Sequence, residues 1–192
     1  MVRFKEALDS EKNTDLRDFI TLALSAGVRR GNVCAMRWAD INDETWTIQR
    51  TKNREPRIVS LRPAALAVLK VRERQRGPDC PWVFPSTQSP SGHIEGFDDH
   101  WRELLERAGL YHPDDRERHV TVHNIRRTFA SYQAIAGVSL QQIGASLGHL
   151  STAATSIYAR LHRESVKHAM AAGERQMQKM MAAAKQKQLA SA

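Results

Sequence analysis

Apolar residues recur at intervals of three and four along much of the chain, the spacing that gives a helix one buried face. The first clear case begins after Thr14, a residue suited to cap a helix, and Gly27 is placed to end it. Its apolar positions are Leu16, Phe19, Ile20 and Ala23. The same signals predict further helices over about residues 30–38, 63–76, 98–108 and 121–136. We therefore expect most of the chain to be helical.

Helix-start signals divide the C-terminal third of the chain into shorter helices. Ser139, with Gln142 three residues later, has the pattern of a capping box. Either Ser151 or Thr152 begins the next helix. The tail over about residues 164–192 is rich in Ala, Met, Gln and Lys, a composition that favours a helix.

The apolar spacing also predicts which side chains of two helices face the interior. In the helix that begins at Pro63 they are Leu66, Leu69 and Val71. In the helix from about residue 121 they are Phe129, Tyr132, Ile135 and Ala136, with Gly137 as the stop. We expect these residues to pack into the hydrophobic core.

The pattern changes between residues 45 and 61. Trp46 and Ile48 precede a polar stretch at residues 51–56, and β-prone residues resume at 57–61. Two short β-prone runs around a polar turn predict an antiparallel hairpin. The fold class that follows is α+β, mainly α-helical, with a small antiparallel hairpin or sheet near residues 45–61.

The charge of the chain indicates a polyanionic partner. The formal net charge is +8 and the pI is about 9.9. Between Arg50 and Arg76 there are nine Arg or Lys residues against only Glu55 and Glu73. Phosphate contacts dominate the affinity of proteins for nucleic acids, so this balance is typical of a nucleic-acid-binding protein.

Two further features limit the protein class. No stretch approaches the roughly 20 apolar residues that span a bilayer, and residues 1–6 lack the apolar segment of a signal peptide. We therefore expect a soluble intracellular protein. Cys34 and Cys80 are far apart and form no CxxC pair, which argues against a disulfide framework and against a zinc site. Cys34 lies in an apolar run and is expected to be a buried thiol.

Four residues of the C-terminal third have the chemistry needed at a phosphodiester. His123 and Arg126 are three residues apart and would share a helix face, where they can converge on one phosphate. His149 and Tyr158 are nine residues apart, about two and a half helical turns, and would diverge on one continuous helix. Gly148 predicts a break that would let them approach one site. Each pair alone is also compatible with an ordinary surface pair or a half-buried tyrosine.

The whole constellation is much less frequent by chance than its parts. The stretches His123-x-x-Arg126, Leu147-Gly148-His149 and Tyr158 resemble the signature of the tyrosine recombinase (phage integrase) family. Two further stretches resemble it as well, Gly27-Val28-Arg29 with the run Met36 to Ile41, and the hairpin at residues 51–61. Order and spacing agree from about residue 14 to residue 162.

The resemblance implies a role for each matching residue. Arg29 matches the first family arginine, and Lys52 matches the lysine of the hairpin turn. His123 and Arg126 match the His-x-x-Arg pair, His149 matches the following histidine, and Tyr158 matches the nucleophile. The implied reaction is attack of Tyr158 on a DNA phosphate to give a 3′-phosphotyrosyl intermediate, with strand exchange and religation. The phosphate-binding residues would be Arg29, Arg126 and His149, and the reaction uses neither metal nor other cofactor.

The sequence departs from the family pattern at two positions. Asn32 stands where many members carry Glu, a residue that supports the first arginine, and Arg127 stands where many carry His. Neither position performs the covalent step, so the departures concern fine geometry. Arg30 and Arg54 are neighbouring basic residues that would replace Arg29 or Lys52 if the alignment were shifted.

The resemblance also implies an organisation and partners. Residues 1–192 are expected to form a single catalytic domain, and the chain begins too late to contain the separate core-binding domain of family integrases. The tail from about residue 164 either packs on its own domain or is exchanged with a neighbouring protomer. The expected partner is double-stranded DNA, on which the protein forms a homo-oligomer, a tetramer, while the isolated domain is a monomer. The expected location is the cytoplasm of a bacterial or phage-infected cell, at the nucleoid.

Two other functions remain open at this point. Residues 134–143 resemble a helix-turn-helix with Gly137 at the turn, which would suit a non-catalytic DNA-binding regulator. A regulator, however, has no need for Arg29, Lys52, His149 and Tyr158 together. A type IB topoisomerase shares the tyrosine chemistry but relaxes DNA without exchanging strands. Chain length and the Leu-Gly-His stretch favour a recombinase.

Overall fold

The computed structural model describes residues 1–49, 56–149 and 151–190. The chain consists of two compact units, Met1–Phe129 and Ala130–Ala192. The described part is mainly helical with one three-stranded antiparallel sheet, so the expected fold class is confirmed.

The first unit contains most of the regular elements. Its helices are α1 (Val2–Asp9), α2 (Thr14–Ala26), α3 (Arg30–Cys34), a 3₁₀-helix (Trp38–Asp40), α4 (Pro63–Arg74) and α5 (Asp98–Arg107). Its strands are β1 (Ile41–Asn42), β2 (Thr45–Ile48) and β3 (Arg57–Ser60). Helix α6 (His123–Ile135) begins in this unit and ends in the second. The second unit then contains α7 (Leu140–Leu147), a second 3₁₀-helix (Thr152–Tyr158) and α8 (Ala159–Ala190).

Helix α2 follows the expected pattern closely. Asn13, one residue before the expected Thr14, is its cap, and its side-chain oxygen accepts a hydrogen bond from the Leu16 amide at 3.0 Å. Gly27 ends the helix in the left-handed conformation, with φ of 60°. The apolar face of α2 is fully buried and contributes Leu16, Phe19 and Ile20 to the core.

The hairpin is confirmed as two antiparallel strands. Trp46 pairs with Val59 and Ile48 with Arg57. Trp46, Ile48 and Val59 are buried, whereas Ile58 is 71% exposed, so the strands present one face to the core. The residues of the predicted turn, including Lys52 and Arg54, lie outside the described residues.

The core of the first unit is rich in aromatic rings. Phe19 packs against Phe97 and Phe84, with ring centroids 4.9 and 6.4 Å apart. Arg72 lies beside them, with its guanidinium 4.2 Å from the Phe84 ring centre. The same guanidinium donates to Asp15 and Asp18 of α2 and to the carbonyl oxygen of Val83. Arg72 therefore joins α2, α4 and the irregular segment that contains Val83 and Phe84.

Two expectations about inward-facing residues are wrong. Val71 is 50% exposed, Tyr132 and Ile135 are 53% and 54% exposed, and Ala136 is also exposed. In α4 the buried positions are Ala65 and Leu69, the Arg72 side chain is only 9% exposed, and Val71 lies about 200° around the helix from Leu69. In α6 the buried positions include Arg126, Ala130 and Ala134, again a stripe to which Tyr132 does not belong.

The helix expected over residues 30–38 is shorter than predicted. It ends at Cys34 because the chain then pairs with the segment at residues 81–83. The Val83 amide donates to the Met36 carbonyl oxygen at 2.9 Å, and the Trp38 amide donates to the Pro81 carbonyl oxygen at 3.0 Å. Cys34 itself is fully buried, as expected, and burial raises the pKa of its thiol to about 11.

The second unit begins its own helices with the predicted signals. Ser139 and Gln142 form the capping box of α7, and Gly148 ends the helix in the left-handed conformation. Ile143 and Leu147 provide the buried face of α7. Thr152 begins a 3₁₀-helix, preceded by Ser151, instead of the expected α-helix.

Helix α8 contains 32 residues. Its methionines are exposed, at Met170, Met177, Met180 and Met181. Within the part of the chain that the structure describes, none of the helices is both long and apolar enough to span a bilayer.

Candidate active-site residues

Among the candidate cations that the structure describes, Arg126 is the most deeply buried. Its side chain is 4% exposed, in the first turns of α6. One of its guanidinium nitrogens, Nη1, donates to the carbonyl oxygen of Gly27 at 2.7 Å. A planar guanidinium carries five donors in fixed directions, so a bond to one side fixes the directions in which the others point. Helix α6 and the end of α2 together hold this group in place.

Gly27 is required at that position for two reasons. Its φ of 60° is strained for any residue with a Cβ. A Cβ placed there would also collide with the ring of Phe129 on α6. The close packing of Phe129 on Gly27 brings α6 near enough for Arg126 to reach the Gly27 carbonyl oxygen.

Arg29 follows Gly27 by two residues and lines the cleft that Arg126 also lines. It is the residue before α3 and has an extended backbone, with φ of −71° and ψ of 146°. Arg29, His123 and Arg126 line one cleft of about 610 Å³. The structure thus brings together three of the six residues predicted for the site. Their catalytic roles stay predictions.

The surroundings of His123 favour its neutral form. Partial desolvation and the positive charges of Arg127, Arg126 and Arg29 lower its pKa below 6.5. A neutral imidazole can accept a proton, which is the property required of a general base. Desolvation and Arg127 therefore favour the basic form of His123, and so do Arg126 and Arg29, the two arginines that would bind a phosphate.

Arg30, the alternative candidate to Arg29, also lines the cleft, but its side chain is exposed and forms an ion pair. Its guanidinium Nη1 lies 2.8 Å from a carboxylate oxygen of Asp98, at the start of α5. Arg29 is half-buried, and we therefore keep Arg29 as the candidate. Asn32, one of the two departures from the family pattern, lines a different cavity with Trp46 and Trp82.

The sequence reasoning missed Arg57. It is half-buried, and desolvation together with the nearby charge of Arg29 lowers its pKa. The signal was present in the alternation of β3, because Arg57 and Val59 are two residues apart and share a face. Arg57 adds a further positive charge near Arg29.

His149 and Tyr158 belong to the second unit. His149 is half-buried and lies directly after the Gly148 cap of α7. Its ring nitrogen Nδ1 lies 2.9 Å from the hydroxyl oxygen of Thr155. Thr155 is 1% exposed and was not singled out from the sequence. Because α7 ends at Gly148 and the next helical segment begins at Thr152, the predicted break between two helices is present.

Tyr158 is the last residue of the second 3₁₀-helix and is 5% exposed. The next residue, Ala159, begins α8. A tyrosine at the junction of two helical segments is positioned by both of them. Lys52, the remaining predicted residue, lies outside the described part of the chain.

Comparison with known proteins identifies relatives of the chain. The profile of the phage integrase family matches residues 1–165. The tyrosine recombinase XerA of Pyrococcus furiosus is 27% identical over 170 residues, which are 86% of this chain and 56% of that protein. The chain spans about half the length of the curated relatives it matches.

Solved structures share the fold. The crystal structure of XerA recombinase superposes with a TM-score of 0.67 at 21% identity, covering 90% of this chain and 61% of that one. The crystal structure of the XerH site-specific recombinase bound to difH substrate superposes with a TM-score of 0.64 at 19% identity, covering 88% of this chain and 51% of that one. Since the family profile covers most of the sequence, the chain belongs to the phage integrase family.

Proposed function

We propose that this chain is the catalytic domain of a site-specific DNA recombinase or integrase. Tyr158 attacks a scissile phosphate and forms a 3′-phosphotyrosyl intermediate, after which strands are exchanged and religated. The observation that carries the proposal is the cleft that Arg29, His123 and Arg126 line together. Arg126 is buried there and donates a hydrogen bond to the carbonyl oxygen of Gly27.

The cleft has the charge that a phosphodiester requires. A phosphodiester is negative and repels nucleophiles, so attack needs donors at its nonbridging oxygens as charge develops there. Arg29 and Arg126 provide planar forks for this purpose. Because Arg126 is already fixed by the Gly27 carbonyl oxygen, it loses little further freedom when a phosphate binds.

The reaction also needs a base for the tyrosine proton, a hydrogen-bond donor to the phosphate and an acid for the leaving group. The phenol of a tyrosine has an ordinary pKa of about 10, so Tyr158 must give its proton to a base as it attacks. His123, with its lowered pKa, is that base. His149 donates a hydrogen bond to the phosphate, and Lys52 protonates the leaving 5′-hydroxyl.

The intermediate preserves the energy of the broken bond. A phenolate leaves a phosphate more readily than a DNA alkoxide does, so a 5′-hydroxyl from a partner strand can reverse the attack. The reaction then needs neither ATP nor a metal ion. The 3′-phosphate end of each cleaved strand stays covalently attached to Tyr158, while the 5′-hydroxyl end is free, until the strands are rejoined.

The proposed partner is double-stranded DNA, bound by a homo-oligomer, a tetramer, of this chain. The net charge of +8 and the bound state of XerH with its difH substrate support this choice. We further propose that residues 1–192 act as one catalytic domain that is monomeric when isolated. The exposed methionines of α8 suit either packing on the same protomer or exchange with a neighbour. The working location would be the nucleoid in the cytoplasm of a bacterial or phage-infected cell.

The test uses a nicked suicide DNA substrate from which the 5′-hydroxyl product diffuses away. The parent chain and Tyr158→Phe are incubated with it in the absence of metal and separated on a denaturing gel. We expect a covalent protein–DNA adduct with the parent and none with Tyr158→Phe. Tyr132→Phe is the matched control because Tyr132 is an exposed tyrosine, and it should form as much adduct as the parent.

Other outcomes would contradict parts of the proposal. An adduct that persists in Tyr158→Phe would assign the nucleophile elsewhere. Binding without any adduct, by a full-length protein on its own site, would indicate a DNA-binding regulator. Relaxation of supercoiled DNA without strand exchange would indicate a topoisomerase.

A further inference from the structure

Thr155 is a buried polar residue whose hydroxyl contacts a candidate catalytic side chain. It lies in the second 3₁₀-helix, and its side chain is 1% exposed. Its oxygen Oγ1 lies 2.9 Å from Nδ1 of His149. Buried hydroxyl groups are almost always hydrogen-bonded, because an unsatisfied one carries the full cost of desolvation.

The burial of Thr155 determines which group donates in this bond. Within the described ranges, the His149 ring is the only hydrogen-bond partner of the Thr155 hydroxyl. If Nδ1 carried the proton and donated to Oγ1, the hydroxyl proton would be left in the interior without an acceptor. If the hydroxyl donates to Nδ1, both groups are satisfied. In a neutral imidazole the proton is then on the other ring nitrogen, Nε2.

The surrounding helix end is shaped to hold this pair. Gly144 lies inside α7, where glycine is a poor helix former. A Cβ on Gly144 would lie 3.0 Å from Thr155 Oγ1, closer than such atoms normally approach. The carbonyl oxygen of Gly144 also accepts a hydrogen bond from the backbone amide of His149 at 2.9 Å. Gly144 therefore leaves room for the Thr155 hydroxyl on one side and hydrogen-bonds the His149 backbone on the other.

We infer that Thr155 is a positioning residue that holds His149 as the neutral tautomer with its proton on Nε2. The inference rests on the proposed function, in which His149 donates a hydrogen bond to the scissile phosphate. Of the two neutral tautomers, only the one with a proton on Nε2 presents a donor at that end of the ring. Thr155 thus makes His149 a donor without requiring it to be positively charged.

The tautomer can be measured directly in the parent protein. Long-range ¹H–¹⁵N NMR spectra distinguish a protonated from an unprotonated ring nitrogen, and a His149→Gln variant identifies which of the eight histidine signals belongs to His149. Above the pH at which His149 is charged, we expect Nε2 protonated and Nδ1 unprotonated. A parent spectrum with the proton on Nδ1 would overturn the inference, whether or not the protein cleaves DNA.

Two variants test the contribution to the reaction. Thr155→Val keeps the shape of the side chain and removes the hydroxyl, whereas Thr155→Ser keeps the hydroxyl. We expect Thr155→Val to slow adduct formation on the suicide substrate about tenfold, since losing a group that orients a catalytic residue typically has an effect of this size. DNA affinity should stay within about twofold, and Thr155→Ser should restore most of the rate.

The outcomes separate this inference from the proposed function. If Thr155→Val is folded and forms adduct as fast as the parent, Thr155 has no positioning role. If Thr155→Ser is as slow as Thr155→Val, the methyl packing and not the hydroxyl matters, and the inference is wrong. If the parent itself forms no adduct, the proposed function fails, while the NMR spectra still decide the tautomer of His149.

Discussion

The two groups of candidate residues rest on different kinds of support. Arg29, His123 and Arg126 belong to a unit with a large aromatic core, and Arg126 is fixed by a bond to the end of α2. Tyr158 and His149 belong to a unit whose helix α7 buries few large side chains. There the positions depend on local devices, the capping box, the Gly148 cap and the Thr155 hydroxyl.

The difference indicates how binding and chemistry are divided. Phosphate-binding side chains must keep their positions when the negative charge of DNA approaches. A rigid core holds them in place, so that little conformational freedom is lost when the substrate binds. Changes in the first unit should therefore alter both stability and cleavage. Changes in the second unit should alter cleavage with smaller effects on stability. Two substitutions, each with a control, and one pH profile test this difference between the units.

The largest effect on stability is expected from Gly27→Ala. The substitution forces an alanine into a left-handed conformation and presses its Cβ against the ring of Phe129, so we expect a loss of about 3 kcal/mol in the free energy of unfolding. Adduct formation should fall as well, because Arg126 loses its fixed position. Urea unfolding and the suicide substrate measure the two effects.

Gly31→Ala is the matched control for this substitution. Gly31 lies in α3, and a Cβ there would meet no atom within 4 Å. Alanine favours a helix over glycine, so the free energy of unfolding should rise by about 0.5 kcal/mol. Equal losses from both substitutions would contradict the special role of Gly27.

A smaller effect is expected from removing the capping box of the second unit. In Ser139→Ala the Gln142 amide, now 3.2 Å from the serine hydroxyl oxygen, loses its side-chain acceptor. The expected loss is about 1 kcal/mol, measured by urea unfolding. Ser151→Ala is the control, because Ser151 precedes the second 3₁₀-helix without a side-chain capping bond. A loss from Ser151→Ala as large as that from Ser139→Ala would show that the box is unimportant.

The smallest effect concerns the pH dependence of cleavage. His123 works as a base only when unprotonated, and its lowered pKa favours that form. Single-turnover cleavage should therefore fall as the pH drops towards the pKa of His123, which lies below that of an ordinary histidine. Arg127→Gln removes one of the charges that lower this pKa, so the fall should begin at a higher pH.

A control variant makes this last measurement specific. Arg102→Gln removes a positive charge that lines the same cleft but does not contribute to the lowered pKa of His123. Its pH profile should match that of the parent. Identical profiles for Arg127→Gln and the parent would argue that His123 is not the base.

Local sequence patterns predicted the elements whose causes are local. Helix α2 with its Gly27 stop, the Ser139 capping box and the antiparallel strands all depend on residues a few positions apart. The length of α3 was not predictable in this way. It is set by pairing of Met36 and Trp38 with a segment more than 40 residues later in the chain.

Inward-facing positions were harder to predict when the buried residue was charged or small. Arg72 occupies a buried position in α4 that periodicity would give to an apolar residue, and Ala130 and Ala134 leave the large Tyr132 outside. Arg57 and Thr155 were missed as parts of the candidate site for a different reason. Their importance depends on Arg29 and His149, which only the folded chain brings near them.

The Arg72 cluster has a consequence for how much the surface can change. Val83 and Phe84 are anchored by the Arg72 guanidinium and by the hydrogen bond from the Val83 amide to Met36, and the chain beyond them forms a closed turn, with Pro85 bridged to His93. The residues between these two positions therefore add little to the anchoring of the segment. We expect this turn to accept inserted sequence, so that a tag or an added peptide could be displayed there while the protein keeps its fold.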